Sequence, residues 1–313
     1  MRKHSLLLKA AAAAVMLTMA AGSKAQAAEA GFGTYGLGGN AFGAGVTPPA
    51  GTYVTTAVGY YQAEIGGQIP FGNVTLNAGA TVDFFISSLN VLYVPERKLF
   101  GGNLGLSLTV PVGWIDIDAT IAVGPLSGSR EVSGWGLGDI VPRAQLGWQH
   151  GDFAHTVWVQ AVTPTGRYSP TFAPNIGLSR PGIDTGLAVT YTHKPTELQF
   201  NGAAGFTFNF ENDETEYQTG TEFHFEWAIG RELHKGFMIG IVGYNYRQLT
   251  DDSDSGATQG AFKSQVDAIG PGLSYTTTVG TTPFIFNLRH YHEFNAENRW
   301  EGNQTVASGT IRF

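Results

Sequence analysis

Cysteine is absent from the chain. That excludes disulfide scaffolds and thiolate metal sites, and it suits a compartment in which free thiols are a liability. Charge is scarce as well: charged residues make up 14% of the 313, against roughly 25% in soluble domains. Yet beyond residue 27 no stretch holds 18 uninterrupted apolar residues, so membrane-spanning helices are excluded while alternating strands are not. Basic residues are few, 18 Lys and Arg against 25 Asp and Glu. Such an acidic chain is no partner for nucleic acid.

What is abundant points to β-structure. The chain carries 43 glycines and 12% aromatic residues, a composition that leans all-β. Its first 27 residues read as a cleaved signal peptide, with a basic start at Arg2, Lys3, His4 and Lys9, an apolar run from Leu6 to Ala21, and the cleavage pattern Ala25-Gln26-Ala27. Removing them leaves 14 basic residues against 25 acidic ones, a net charge of about −11.

The stretch from Leu198 to Ile229 shows the pattern most plainly. Leu198, Phe200, Phe206, Phe208 and Phe210 alternate with Gln199, Asn201, Thr207 and Asn209, and after an acidic connection Phe223, Phe225, Trp227 and Ile229 alternate with Glu222, His224 and Glu226. A period of two is a strand. The aromatic face is long enough for a tilted strand to cross a bilayer, roughly 9 to 11 residues, so it is assigned to lipid and the Glu/His face to a lumen. Residues 52–313 divide into about twelve such strands, whose connections alternate between short turns, such as His150-Gly151-Asp152 and His234-Lys235-Gly236, and longer loops, including 65–78, 120–138 and Asp251 to Gly260. The fold class is therefore all-β, a transmembrane antiparallel β-barrel in the cell outer membrane, with both termini at the periplasmic side.

Residues 28–51 are Gly-rich, carry Pro48-Pro49 and lack a periodic apolar face. They read either as a plug near the periplasmic mouth or as a plain N-terminal tail. Gly270-Pro271-Gly272 is expected to mark a bulge. Trp114, Trp148, Tyr191, Phe210, Tyr246 and Phe294 fall near strand ends, where aromatic girdles meet headgroups. The chain stops on Phe313 with Ile311 two before it, which resembles the C-terminal signal read by the outer-membrane assembly machinery.

The faces opposite the apolar ones define the expected lumen and rim lining: Asp139, Arg143, Gln145, Arg167, Asp184, Asn201, Glu222, His224, Glu226, Arg247, Asp267 and Arg289. Opposed carboxylates and guanidiniums in a narrow barrel pair into a filling network, or they shape a polar constriction around a solute. Glu222-x-His224-x-Glu226 puts three ligand types on one face of one strand, but no second cluster stands at ligand spacing. His290-x-His292 shares a face with Phe284, Phe286 and Leu288 and reads as rim histidines. Asp251-Asp252-Ser253-Asp254-Ser255 lacks calcium-loop spacing, and Gly134-Trp135-Gly136-Leu137-Gly138 precedes a strand, unlike a dinucleotide loop. No cofactor, metal or catalytic residue is assigned.

Gly136-Leu137-Gly138-Asp139 opening one strand, and Ala161-Val162-Thr163-Pro164-Thr165-Gly166-Arg167-Tyr168 ending the next, resemble the paired signatures of the outer-membrane family named for the MetA (meta) pathway of phenol degradation. Asn175-Ile176-Gly177, Gly243-Tyr244-Asn245-Tyr246 and Ile269-Gly270-Pro271 agree with it. The resemblance implies a barrel associated with the use of aromatic or hydrophobic compounds, and it supplies no catalytic residues. In physical terms the two signatures meet at one rim, where Asp139 is expected to pair with Arg167 and anchor the loops, with a solute gate as the rival role for these rim charges. The function expected is passive uptake of small apolar or aromatic solutes. The alternatives are an outer-membrane enzyme using the lumen carboxylates and His224, and a structural or adhesive barrel that binds partners through its loops.

Overall fold

The computed structural model describes residues 31–71, 74–123, 126–170, 174–253, 263–280 and 282–313. The expected signal peptide lies outside the described residues, as does most of the Asp251 to Gly260 loop. Thirteen strands follow in order: β1 (Gly51–Phe71), β2 (Val74–Val94), β3 (Asn103–Val123), β4 (Leu126–Leu137), β5 (Val141–His150), β6 (Phe153–Val162), β7 (Gly182–His193), β8 (Leu198–Asn209), β9 (Glu222–His234), β10 (Phe237–Gln248), β11 (Gln265–Val279), β12 (Thr282–Glu297) and β13 (Glu301–Arg312). Every neighbour pair is antiparallel, and β1 pairs with β13, so the sheet closes and leaves no edge between first and last strand. Strands β4 and β5 share one place in the wall, because β5 pairs with Asn103 to Thr109 of β3 and β4 with Val112 to Val123. The barrel is therefore twelve strands around.

The tight turns at the end carrying the termini are as the sequence implies. His150 pairs with Phe153 across a two-residue turn, and Gly151 takes φ 61 there, a conformation that costs a side chain but not glycine. The opposite, extracellular end differs from expectation. Residues 65–71 and 74–78 continue β1 and β2, and the expected loop 120–138 is mostly the hairpin of β3 and β4. The β12 to β13 connection at that end is short. The strand expected to begin at Asp139 begins at Val141, because Gly138 to Ile140 form a break in the wall. Register also runs unchanged through Gly270 and Pro271, from Ile269 against His292 to Gly272 against Arg289. The irregularity in β11 sits instead between Gln265 and Asp267.

Three strands of 21 residues extend about 70 Å at ~3.3 Å per residue, far more than the hydrocarbon layer needs. The outward residues mark where they leave it. Tyr60, Phe85, Trp114 and Trp135 stand side by side in one row across β1 to β4. Below this row the outward face is apolar, with Val58, Leu89, Leu106, Leu108 and Val112 exposed. The next row above it is Gln62, Asp83, Asp116 and Ser133, and the one after that Glu64, Thr81, Asp118 and Glu131. An aromatic girdle followed at once by carboxylates is the signature of the headgroup boundary. Above it the inward face turns apolar. Tyr61, Ala63, Ile65, Ala80, Val82, Phe84, Ile115 and Ile117 gather with Phe32, Ile176 and Trp300 into one cluster. The strands thus reverse their patterning where lipid gives way to water, which is why 79–94 alternates poorly as a sequence.

Candidate functional site: the barrel lumen

The lumen is built from alternate residues of the wall and from residues 31–50, which run between them. At the extracellular end the Phe32 ring stacks on Trp300 with centroids 5.9 Å apart. At the other end Tyr53 donates its hydroxyl to the Pro49 carbonyl at 2.8 Å, and Asn103 donates to the carbonyls of Thr47 and Pro48. The contacts of this segment extend well beyond the periplasmic mouth.

Its principal anchors are on β7 to β9. Glu226 accepts four hydrogen bonds: the Tyr35 hydroxyl at 2.9 Å, the Gly38 amide at 2.5 Å, and the Asn40 amide and side chain at 3.0 and 2.6 Å. Glu222 accepts the Thr34 amide at 3.1 Å and the Tyr246 hydroxyl at 2.9 Å. Asn201 accepts from the Gly43 amide and the Thr190 hydroxyl, and the Gly45 amide donates to Thr190.

Between Glu222 and Glu226, His224 lies flat under the Tyr35 ring, 3.5 Å between centroids and 9° between planes. Its Nε2 stands 2.7 Å from Asp184, which also accepts from the Trp158 indole at 2.7 Å and the Thr207 hydroxyl at 2.9 Å. The Arg143 guanidinium stacks over Trp158 at 4.7 Å. Gln145 donates to Thr47 at 3.0 Å, and Arg289 donates to the Gly39 carbonyl at 2.8 Å. Asp184, Ala188, Thr190, Asn201, Ala203, Thr207, Glu222, His224, Glu226 and Ala228 are all no more than 7% exposed. This wall is covered by the segment.

The facing wall is different. Three inward rows cross β13, β1, β2 and β3 below the apolar cluster: Thr310, Thr55, Asn90, Thr109; Ser308, Ala57, Ser88, Pro111; and Val306, Gly59, Ile86, Gly113. Most are only half-buried, and none carries charge. Thr55 and Thr310 bond each other at 2.8 Å, and Asn90 donates to Thr109 at 2.8 Å.

Two expected lumen residues stand elsewhere. Arg247 and Asp267 pair at 2.7 Å on the face opposite Tyr244, Tyr246, Val266 and Ala268, which are the inward and buried residues of β10 and β11. Asn245 and Asn295 donate to the same Asp267 carboxylate, so this is an outer-face network near the extracellular rim. By the same token Tyr246 belongs to the core and not to a girdle. Asp139 and Arg167 are neighbours but not partners. Asp139 accepts the amides of Gly166 at 2.8 Å and Leu178 at 2.7 Å, and Arg167, Pro174 and Ile176 pack inward against Gly134 and Gly136 of β4. Arg167 instead caps the unpaired edge of β4, donating its side chain to the Trp135 carbonyl and its amide to the Leu137 carbonyl at 2.7 Å.

Sequence reasoning missed Arg180, fully buried and donating to Thr34, Thr219 and the Phe32 carbonyl. It also missed Arg299, held 4.3 Å over the Tyr246 ring. Both lie in connections, where no periodicity marks a face. Among the described residues no group of three or more His, Asp or Glu is arranged to hold a metal ion.

A closed wall, an apolar outer belt ending in an aromatic girdle, and a buried polar interior define a transmembrane β-barrel of the bacterial outer membrane. The chain belongs to the family described as "Putative MetA-pathway of phenol degradation", whose model matches residues 65–308. Among solved structures it is similar to the COG4313 outer membrane channel from Pseudomonas putida F1, with TM-score 0.68 and 13% identity over 87% of this chain and 98% of that one. Weaker likenesses include the translocator domain of the autotransporter NalP from Neisseria meningitidis (TM-score 0.41, 10% identity, 85% and 90% covered). Another is the CymD monoaromatic hydrocarbon channel (TM-score 0.42, 9% identity, 85% and 89% covered). No curated protein matches the chain.

Proposed function

We propose that the protein is an outer-membrane channel for passive uptake of small hydrophobic or aromatic molecules, with residues 28–51 as a plug lodged in a barrel formed by 52–313. The observation that carries this reading is the apolar mouth. Where the strands rise above the headgroups, their inner face presents Tyr61, Val82, Phe84 and Ile115, joined by Trp300 from the β12 to β13 connection, whereas a pore for sugars or ions needs polar groups there. The membership in a family named for phenol degradation and the likeness in fold to an outer membrane channel support it. In this reading Asp184, Asn201, Glu222, His224, Glu226 and Arg289 hold the plug, and Arg143 and Gln145 border the passage. Asp139 and Arg167 brace the loop that covers the break in the wall. Phe313, 76% exposed and tied to β1 through mutual backbone bonds with Thr52, is free to be read by the assembly machinery.

Catalysis finds less support. Among the described residues the Nδ1 of His224 has no hydrogen-bond partner, so no nucleophile is set against it, and the Tyr35 ring covers one face of the imidazole at 3.5 Å. The test is flux into vesicles reconstituted with the folded mature protein. Phenol-sized apolar solutes should enter faster than in protein-free vesicles, and sugars should not. Equal rates with and without protein would refute the channel reading, and loss of a bound partner on deleting Asp251 to Gly260 would favour the adhesive one.

A further inference from the structure

The two halves of the lumen are unequal, and the inequality indicates a route. Residues 31–50 cover the charged wall of β7 to β9 and leave the inward residues of β13, β1, β2 and β3 half-open. That open strip is lined by hydroxyls, the Asn90 carboxamide, apolar side chains and glycine, and meets no charged side chain between the Tyr53 row and the apolar cluster. Its upper end is stopped by aromatic rings. The row directly above Val306, Gly59, Ile86 and Gly113 holds Gln304, Tyr61, Phe84 and Ile115, and the Phe32 ring enters among them, 6.4 Å from Tyr61, 6.2 Å from Phe84 and 5.9 Å from Trp300. Tyr61 is fixed from behind, its hydroxyl on Glu293 at 2.6 Å, so the slot is a framed one. Phe32 is anchored differently from the rest of the segment. Apart from the bond from Arg180 to its carbonyl, the contacts of its side chain are with rings and apolar groups.

We propose that solutes cross along the neutral strip of β13, β1, β2 and β3, and that Phe32 fills the aromatic slot through which they enter it. The inference rests on the channel reading and names its substrate class, uncharged planar molecules of about one ring. Such a molecule makes the same offset and edge contacts with Tyr61, Phe84 and Trp300 that Phe32 makes, and can take its place with no buried polar group left unpaired. A charged solute finds no counter-ion on the strip and pays its desolvation in full.

The absence of native cysteine makes the route directly testable. Single variants Ser88→Cys and Thr109→Cys on the strip, and Ala203→Cys on the covered wall, are treated in detergent with uncharged benzyl methanethiosulfonate and then reconstituted, with folding checked by heat-modifiable gel mobility. The strip cysteines should react while Ala203→Cys does not, and labelling should cut phenol flux by about tenfold or more, as blocking a single-file constriction does. Phe32→Ala, or Phe32→Leu should the first fold poorly, should raise phenol flux several-fold without admitting sugars. Unreactive strip cysteines overturn the route whatever the flux. Reactive cysteines whose labelling leaves flux intact overturn the route while the channel reading stands. Absence of flux in the unmodified protein overturns both. Unchanged flux in both Phe32 variants overturns the slot.

Discussion

Replacing Glu226 by Ala tests how the N-terminal segment is held. Its carboxylate accepts from Tyr35, Gly38 and twice from Asn40, and it is 1% exposed. Hydrogen bonds to a charged group contribute about 1.5–3 kcal/mol each, but four bonds to one acceptor are not additive. Each buried donor left without an acceptor costs about 1–3 kcal/mol, so orphaning this shared set costs about 3–5 kcal/mol. The flanking anchors remain: Thr34 on Glu222 and Asn209, Gly43 on Asn201, Gly45 on Thr190. The segment should therefore open locally over 35–40 and stay in the lumen. At about 1.4 kcal/mol per factor of ten, amide hydrogen exchange at Gly38 and Asn40 should accelerate by about two to three orders of magnitude, with Gly45 changed by less than about tenfold. Unchanged protection at Gly38 and Asn40 would refute the idea that Glu226 is the central anchor. Equal loss at Gly45 would refute independent anchoring.

Asp184→Ala removes the shared acceptor of Trp158, Thr207 and His224 and should lower barrel stability by about 2–4 kcal/mol in urea unfolding from vesicles, as buried donors left unpaired do, with Asp184→Asn recovering part of it. Leu89→Arg, placed on the lipid face below the girdle, should cost about 2–4 kcal/mol in the same assay, while Gln62→Arg, one row above the girdle, should cost no more than about 1. Equal penalties would move the membrane boundary. Asp267→Ala breaks the outer-face network with Arg247, Asn245 and Asn295 and should leave phenol flux unchanged, since nothing in the lumen touches it. A fall in flux with folding intact would return this pair to the solute path.

Some of the architecture is legible because a strand has a period of two and a bilayer a fixed thickness. Phe200, Phe206 and Phe208 are exposed while Asn201, Thr207 and Asn209 are buried, as the alternation in β8 alone implies. The same rule misleads for Arg247 and Asp267. Alternation divides a strand into two faces but does not say what lies beyond each, and where β10 and β11 approach the headgroups the inner face takes Tyr244, Tyr246 and Val266, packed with Ala41 and Phe42 of the segment. Residues 79–94 show the same limit, since one strand crosses two media and reverses its pattern between them.

A closed antiparallel wall of about twelve strands, its periplasmic turns and the polar residues of β7 to β9 follow from the chain's residue order alone, because they depend on local periodicity, glycine at positive φ and composition. Only the tertiary structure decided which wall the segment 31–50 covers and that Asp139 takes backbone amides in place of Arg167. It also decided that Phe32 meets Trp300, 268 residues further along the chain. These contacts join segments with no common period, and their geometry exists only once the barrel has closed around the chain's own beginning.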